Sequence, residues 1–440
     1  MAKNFHEVRD PIHVFVRLDT DERKILDSKP FQRLRHIHQL AQSYLVYPGA
    51  THKRFEHSLG VMELARRVFE TVTQPSALTD EVKKLIPELE HPDQLTYWRR
   101  VLKMAALCHD IGHLPFSHAA EKELLPEGWD HERLTIDIIL GEEMQAIWNS
   151  VTPPLRSDDI VKLAVGPRKA KDLTFSNWEA ILSEIIVGDS FGVDRMDYLL
   201  RDAYHAGVPY GRFDHYRLID TLRILPSPND ENNRGEPVLG VEQGGLETAE
   251  ALLLARYFMY TQVYFHPVRR IYDIHLKDFL KEWLPDGRFG TTTKEHLELT
   301  DAEVTTAIRT AAGDKDRPGH DPARRITNRE HFRVLYRRHP KDVGVNPEAA
   351  LAVYEAAVKE FGDTQVRFDQ YRPRGAAAPD FPVRSSDDSV VSSLVMSEVL
   401  RMIPAATTEY VFVAPEIREA AKRWRDIHKN EIIKPEKENS

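Results

Sequence analysis

The 440-residue chain contains one cysteine, Cys108. A single cysteine excludes an internal disulfide framework and a cysteine-built zinc cluster. In the apolar run before His109, it reads as a small core residue. No apolar run approaches the roughly 18–20 residues that a membrane span needs. The first residues, Met1-Ala-Lys-Asn-Phe-His, carry no signal-peptide core, so a cytoplasmic location is expected. There is no Gly-x-x-x-x-Gly-Lys-[Ser/Thr] phosphate loop, no dinucleotide fingerprint and no internal repeat. Positive charge is also in deficit: 60 Lys and Arg face 69 Asp and Glu, a formal net charge of −9. That balance argues against a protein built to hold nucleic acid. Basic residues gathered locally still allow an anionic small substrate. What remains is a soluble globular profile, 41% hydrophobic and 29% charged, long enough for two or three domains.

The stretch that organises the chain is Ala105-Ala106-Leu107-Cys108-His109-Asp110-Ile111-Gly112-His113-Leu114-Pro115-Phe116-Ser117-His118. Val101 to Leu107 reads as a buried helix that delivers an adjacent His109-Asp110 pair. Gly112 and Pro115 then break the regular pattern. A rigid element suits a metal site, because ligands must be held to a few tenths of an ångström. Imidazole and carboxylate together fit a divalent ion such as Mn²⁺, Fe²⁺, Ni²⁺ or Zn²⁺. Two ligands do not close a site, and an isolated His-Asp pair is ordinarily a polar helix end. The remaining ligands must come from elsewhere.

Residues 1–30 read as an extended arm and a turn, with Asp10-Pro11 and Lys29-Pro30 as breakers. Pro30 to Gln42 has helical spacing, with Phe31, Leu34, Ile37 and Leu40 on one side. Arg54 to Glu70 is a strong helix whose apolar face, Val61, Leu64, Ala65 and Val68, begins at His57. A histidine in such a stripe is usually a core residue, and becomes a ligand only where others converge on it. Asp130 is a candidate N-cap for a helix that opens on His131. In Val193 to Asp202, Asp194, Tyr198 and Arg201 or Asp202 line one helical face opposite Val193, Met196, Leu199 and Leu200. Leu222 to Leu225 and Pro237 to Val241 read as a hairpin with a polar tip. Leu246 to Leu280 is helical, aromatic-rich and interrupted at Pro267. Further on, Ala311 to Arg325 reads as a loop and Arg372 to Ser386 as a linker. A helix ends at Gly362, and Gln365 to Tyr371 and Glu409 to Val413 read as strands.

The order His57, His109-Asp110, Asp194 resembles the HD phosphohydrolase superfamily. Three segments narrow the likeness to its deoxynucleoside triphosphate triphosphohydrolase branch. They are Tyr-Pro-Gly-Ala-Thr-His-Lys-Arg-Phe-Glu-His-Ser-Leu-Gly-Val (47–61), His-Asp-Ile-Gly-His-Leu-Pro-Phe-Ser-His (109–118) and Val-Asp-Arg-Met-Asp-Tyr-Leu-Leu-Arg-Asp (193–202). That branch includes bacterial dGTP triphosphohydrolases and the vertebrate SAM-and-HD-domain enzyme. The resemblance covers roughly residues 8–275, and no SAM domain is expected ahead of it. It implies a mainly α fold: an HD helical bundle with a small β-hairpin insertion and a smaller C-terminal α+β module. The expected division is a catalytic domain over 1–282, a connector over 283–345 and the module over 346–440.

The resemblance also implies roles. His57, His109, Asp110 and Asp194 would bind one divalent metal, with Mn, Mg, Fe, Ni and Zn all open. Attack at the α-phosphorus of a dNTP would release deoxynucleoside and triphosphate. His131 matches the general acid and Glu121 the carboxylate that orients it. His113 matches a residue near the α-phosphate, His118 one lining the phosphate site, and Arg54 a phosphate contact. Arg195 stands where the family often has lysine, which changes the geometry of the cation. Gln39, Leu40, Tyr198 and Asp202 resemble the sugar contacts. Arg256 resembles a further phosphate contact and Tyr264 a residue beside the base. Tyr260 stands where the SAM-and-HD-domain enzyme has histidine. Asp27, Gln32 and Arg35 resemble residues that read a guanine nucleotide effector. GTP or dGTP would then favour a homo-oligomer, with a tetramer the favoured state. Two other functions fit the bare motif: an HD phosphohydrolase of nucleoside monophosphates, cyclic nucleotides or guanosine alarmones, and a non-enzymatic nucleotide sensor.

Overall fold

Helical periodicity dominates the sequence, and the computed structural model is mainly α-helical over the residues it describes, 5–116, 121–227, 235–373 and 378–434. No helix among them is long and apolar enough to cross a membrane. The chain divides into two units. The first comprises Met1–Met259, Phe289–Glu303 and Ala378–Pro404. The second comprises Tyr260–Arg288, Val304–Ala377 and Ala405–Ser440.

The first unit is built around the helices Arg54–Val72 and Pro92–Cys108, which pack on each other. The first buries Val61, Met62, Leu64, Ala65 and Val68 completely; the second buries Val101, Leu102 and Met104 through Cys108. Each large aliphatic side chain removed from water contributes about 1.5–3 kcal/mol, so the helix ends are carried on rigid supports. Pro92 stands in the first turn of its helix, where a missing N–H costs nothing. The helix Val193–Ala206 packs against Arg54–Val72 and ends at Gly207 in the left-handed conformation.

The expected N-terminal arm folds back on itself. Phe5–Asp10 pairs antiparallel with Val14–Asp19, from Phe5 opposite Asp19 to Asp10 opposite Val14. Asp10 Oδ1 accepts from the amides of Ile12 and His13, both at 2.8 Å, and closes the turn. Val14 follows at φ 67°, a left-handed conformation unfavourable for a β-branched residue. Asp19 then caps the helix Thr20–Leu26, and Glu22 reaches back to the Asp19 amide.

The helix expected from Pro30 to Gln42 is shorter. Lys29–Arg33 is α-helical, Leu34–His36 forms one 3-10 turn, and Ile37 is extended. Tertiary hydrogen bonds claim the backbone groups that a longer helix would need. Ile37 O accepts from Arg54 N at 3.0 Å, Gln39 N donates to His52 O at 3.0 Å, and His38 N donates to Asp301 Oδ2 at 2.7 Å. Asp301 Oδ1 also accepts from Phe116 N at 2.7 Å. Arg33, almost wholly buried, donates to Leu299 O and to His113 O at 2.8 Å. The Phe289–Glu303 stretch thus braces the backbone just after the His109-Asp110 pair.

The expected hairpin is present as Leu222–Pro226 and Pro237–Glu242, and residues 228–234 at its tip lie outside the described residues. Pro382–Arg384, expected as part of a linker, instead adds to this sheet parallel to Pro237–Glu242. Val390–Ser392 completes the sheet. Parallel pairing joins strands distant in sequence and leaves no local turn signal.

In the second unit, Thr408–Val413 lies between Arg333–Arg337 and Val366–Tyr371 in an antiparallel sheet. All six of its residues are buried. The helices Ala349–Phe361 and Arg418–Ile432 pack with this sheet around Val353, Val366, Val411, Val413 and Ala421. The loop expected over Ala311–Arg325 contains the end of the Asp301–Ala312 helix and most of the His320–Thr327 helix. Pro267–Trp283 follows a single π-helical turn, Tyr260–Tyr264.

One close approach is testable. A Cβ on Gly60 would collide with the Asp197 carboxylate and the Arg201 guanidinium, both locked in a buried ion pair. Gly60→Ala should lower the unfolding free energy by about 1–3 kcal/mol. Gly344→Ala, in an exposed helix where the added methyl meets nothing within 4 Å, should raise it by about 0.5–1 kcal/mol. Urea unfolding of the two variants checks both signs.

Candidate metal centre

The Pro92–Cys108 helix ends at His109, whose backbone is still helical. His109 Nδ1 donates to Ala106 O at 2.8 Å. This fixes the tautomer and leaves Nε2 as a lone pair. That Nε2 is buried and has no hydrogen-bond partner. It lies 3.5 Å from Asp110 Oδ1 and 3.6 Å from Asp194 Oδ1. His57, one turn into its helix, brings Nε2 to 3.1 Å from Asp194 Oδ1 and 3.6 Å from Asp110 Oδ2. The two imidazole rings meet edge to face at 5.3 Å. Donor atoms of His57, His109 and Asp110 all lie within 4.8 Å of one another. An orphaned imidazole nitrogen facing the buried Asp110 and partly exposed Asp194 carboxylates fits a divalent cation.

The electrostatics agree. Burial raises the carboxyl pKa of Asp110, but Arg54, His109 and His113 outweigh it and hold the group well below the usual range. Asp194 is likewise held low, against burial, by His109 and His57. Burial opposes charge on His57, yet hydrogen bonds to Asp194 and Asp197 and the charges of Asp197 and Asp110 lift it to about 10.

A second group adjoins the first. His113 Nε2 is 3.1 Å from Asp110 Oδ1. Its ring stacks on His131 at 4.0 Å between centroids and 15° between planes. Glu121 Oε1 accepts from both His131 Nδ1 and His131 N, each at 2.7 Å. Glu132 Oε2 stands 3.3 Å from the same Nδ1. Burial opposes a charged His131, but Glu121 first, then Glu132 and Asp110, raise its pKa above the ordinary value. Burial, Arg54 and His131 push His113 well below it. The two stacked rings are therefore biased in opposite directions, His131 towards its charged form and His113 towards its neutral one. Gly112 permits this packing, because a side chain there would collide with His131 O and Thr135 N.

The HD domain model matches residues 54–166, and the HD associated region model matches residues 213–359. A Bacillus subtilis protein is 30% identical over 398 residues, 83% of this chain and 81% of its own. The chain belongs to the HD-domain family. A solved structure of a hypothetical protein from Aquifex aeolicus superposes on the HD protein with a TM-score of 0.76 at 33% identity, covering 95% of this chain and 99% of that one. Deoxynucleoside triphosphate triphosphohydrolase SAMHD1 of Gallus gallus is 29% identical over 359 residues, 74% of this chain. The HD chain spans 55% of that relative's length. Family membership and the His57, His109, Asp110 cluster make the protein a metal-dependent phosphohydrolase.

The other residues singled out in the sequence are distributed over the HD protein as follows. Arg54 is buried and paired with Asp110. His118 lies outside the described residues. Arg195 donates to Asp189 O at 2.9 Å and Asp189 Oδ1 at 2.7 Å. Tyr198, half-buried, lies one turn beyond Asp194. Asp202 Oδ1 is 2.7 Å from His52 Nε2, and the Gln39 amide is bonded to the His52 carbonyl. Gln39 Oε1 is buried without a partner, and Leu40 is buried. His52, which joins two expected sugar contacts, was missed; its place before Lys53 and Arg54 was the available signal. Arg256 lies in the last turn of the Leu246–Met259 helix in the first unit, whereas Tyr260 and Tyr264 form an edge-to-face pair in the second. The expected effector residues cluster: Gln32 Nε2 donates to Leu26 O at 2.6 Å, beside Asp27, and Arg35 Nε donates to Gln32 Oε1 at 2.9 Å. Also missed were Asp10, His13 and Asp197, which touch His57 directly or through one another.

The raised His57 pKa carries a sign. A ligand nitrogen must lose its proton before it binds metal. Below about 10, the metal-free site holds that proton. Apparent affinity for Mn²⁺ or Zn²⁺ should therefore rise by about tenfold per pH unit from pH 6 to 8, one proton being released. Calorimetric titrations of metal-free protein at pH 6, 7 and 8 measure the slope; a flat profile contradicts the assignment of His57.

Proposed function

We propose that this HD protein hydrolyses deoxynucleoside triphosphates to deoxynucleoside and inorganic triphosphate. The observation that carries the reading is His131 held at Nδ1 by Glu121 and stacked on His113, which itself contacts Asp110. Relatives named deoxynucleoside triphosphate triphosphohydrolases support the substrate class, at 29% identity for the chicken protein and 28% for the human one. His57, His109, Asp110 and Asp194 would hold the divalent ion. When bound, such an ion polarises a phosphoryl oxygen and lowers the pKa of water.

The chain's own residues supply the rest. Glu121 occupies His131 Nδ1, so Nε2 is the atom that gives its proton to the leaving 5′-oxygen. Neutral His113 and cationic Arg54 face the α-phosphate side, and His118 and Arg195 extend the phosphate site. Gln39, Leu40, Tyr198 and Asp202 take the sugar; Asp202 accepts the 3′-hydroxyl, and the bulk of Tyr198 excludes a 2′-hydroxyl with modest discrimination. Arg256, Tyr260 and Tyr264 contribute the further phosphate and base contacts. Asp27, Gln32 and Arg35 form the guanine-nucleotide site, and effector binding drives a homotetramer that binds substrate better.

Three measurements decide these points. Chromatography after incubation with each dNTP and Mn²⁺ or Mg²⁺ should show nucleoside and triphosphate; nucleoside monophosphate and pyrophosphate would refute the reaction. His131→Ala should lower kcat by about 10²–10⁴-fold while retaining metal. Loss of the metal in that variant would contradict its role as acid. In dATP or dCTP hydrolysis, added GTP or dGTP should raise both rate and molecular mass. Indifference to both nucleotides at saturation discards the effector site alone.

A further inference from the structure

Asp197 is not among the cluster donors, yet it touches one. Its Oδ2 accepts from His57 Nδ1 and from Arg201 Nε, both at 2.8 Å. Its Oδ1 accepts from Arg201 Nη2 at 2.9 Å and from His13 Nε2 at 2.8 Å. Four donors fill the acceptor positions of one carboxylate. The side chains of His13, His57, Asp197 and Arg201 have no exposed surface. Arg201 Nη1 continues to Asp10 Oδ2 at 2.8 Å, and Asp10 Oδ1 holds the amides of Ile12 and His13.

Three separate segments therefore meet on this carboxylate: the hairpin turn, the His57 helix and the Val193–Ala206 helix. Gly60, one turn after His57, is the position at which any side chain would displace it. The left-handed Val14 directly follows His13, so local backbone strain sits where the turn aims a ring at Asp197. Within the cluster, His57 is held only through Nε2, the nitrogen a metal would take, so the ring's orientation has to be set from elsewhere. A carboxylate on the far nitrogen does so, because the neutral ring then carries its proton on Nδ1 and turns the Nε2 lone pair towards Asp194 and Asp110.

We infer that Asp197 is the positioning residue for His57, and that Asp10 and His13 of the N-terminal hairpin turn hold Asp197 in place. The inference rests on the reading of His57 as a metal ligand. It makes the hairpin part of the metal centre without contributing a donor to it.

The test is calorimetric Zn²⁺ titration of metal-free protein, with proton NMR of the imidazole N–H signals in the Zn²⁺-loaded state and circular dichroism to verify folding. His109→Ala reports on the metal centre itself: wild type that binds Zn²⁺ no better than this variant defeats the metal reading, and the inference falls with it. Given wild-type binding, Asp197→Asn should weaken Zn²⁺ affinity by roughly 10–100-fold. It should also abolish the downfield, slowly exchanging Nδ1 proton that a carboxylate holds on His57. A folded Asp197→Asn protein within about twofold of wild-type affinity overturns the inference, since the outer partner of a ligand histidine is expected to matter more than that. If Asp197→Asn does not fold, His13→Leu decides. A loss of about threefold or more, with a shifted His57 signal, sustains the inference, and a smaller loss overturns it.

Discussion

A bidentate ion pair between Arg201 and Asp197, with neither side chain exposed, is the contact on which the catalytic unit depends. Taking two charges out of water is costly, and such a pair is tolerable only when every donor and acceptor is satisfied. Here Asp10, His13 and His57 complete the set. Removing one partner of a buried pair typically costs about 3–5 kcal/mol, because the other charge is left uncompensated. The network therefore contributes little net stability by existing and a great deal of geometric definition by being hard to rearrange. It specifies where the hairpin turn and two helices sit relative to one another.

The same economy of means governs the neighbouring histidines. His113 and His131 are stacked imidazoles whose pKa values are pushed in opposite directions by what lies at their edges. Asp110 and Arg54 border His113; Glu121 and Glu132 border His131. Identical side chains acquire distinct proton affinities through environment.

Much of this was legible in the chain. Helical spacing located the Arg54–Val72 helix and its His57, and the apolar run before His109 located the other long helix. The motif order brought His57, His109, Asp110 and Asp194 onto one page, and the structure brings them within reach of one another. The strands Val366–Tyr371 and Thr408–Val413 carried an apolar and β-branched signal that survived folding. What escaped was set by distant partners. Pro30 to Gln42 has the right periodicity for helix, but His52, Arg54 and Asp301 take its backbone groups. Pro382–Arg384 becomes a strand only because Pro237–Glu242 offers an edge. Asp197 escaped because the acidic face was read from Asp194, whereas Asp197 lies on the buried side, paired to Arg201 one turn on.

The segments Phe289–Glu303 and Ala378–Pro404 belong to the first unit although most of the second unit lies between them in sequence. Asp301 holds the amide of Phe116, Leu299 takes the Arg33 guanidinium, and Pro382–Arg384 extends the sheet begun at Leu222. Order of synthesis then matters. A growing chain emerges from its N-terminus and domains ordinarily fold as they appear. This one has both long core helices and all four cluster donors available early, but their bracing comes much later. Until Asp301 has been made, the loop that follows the His-Asp pair lacks its partner, and until Pro382–Arg384 has been made, so does one edge of the sheet. The nascent unit must wait, partly built, while most of its neighbour is translated.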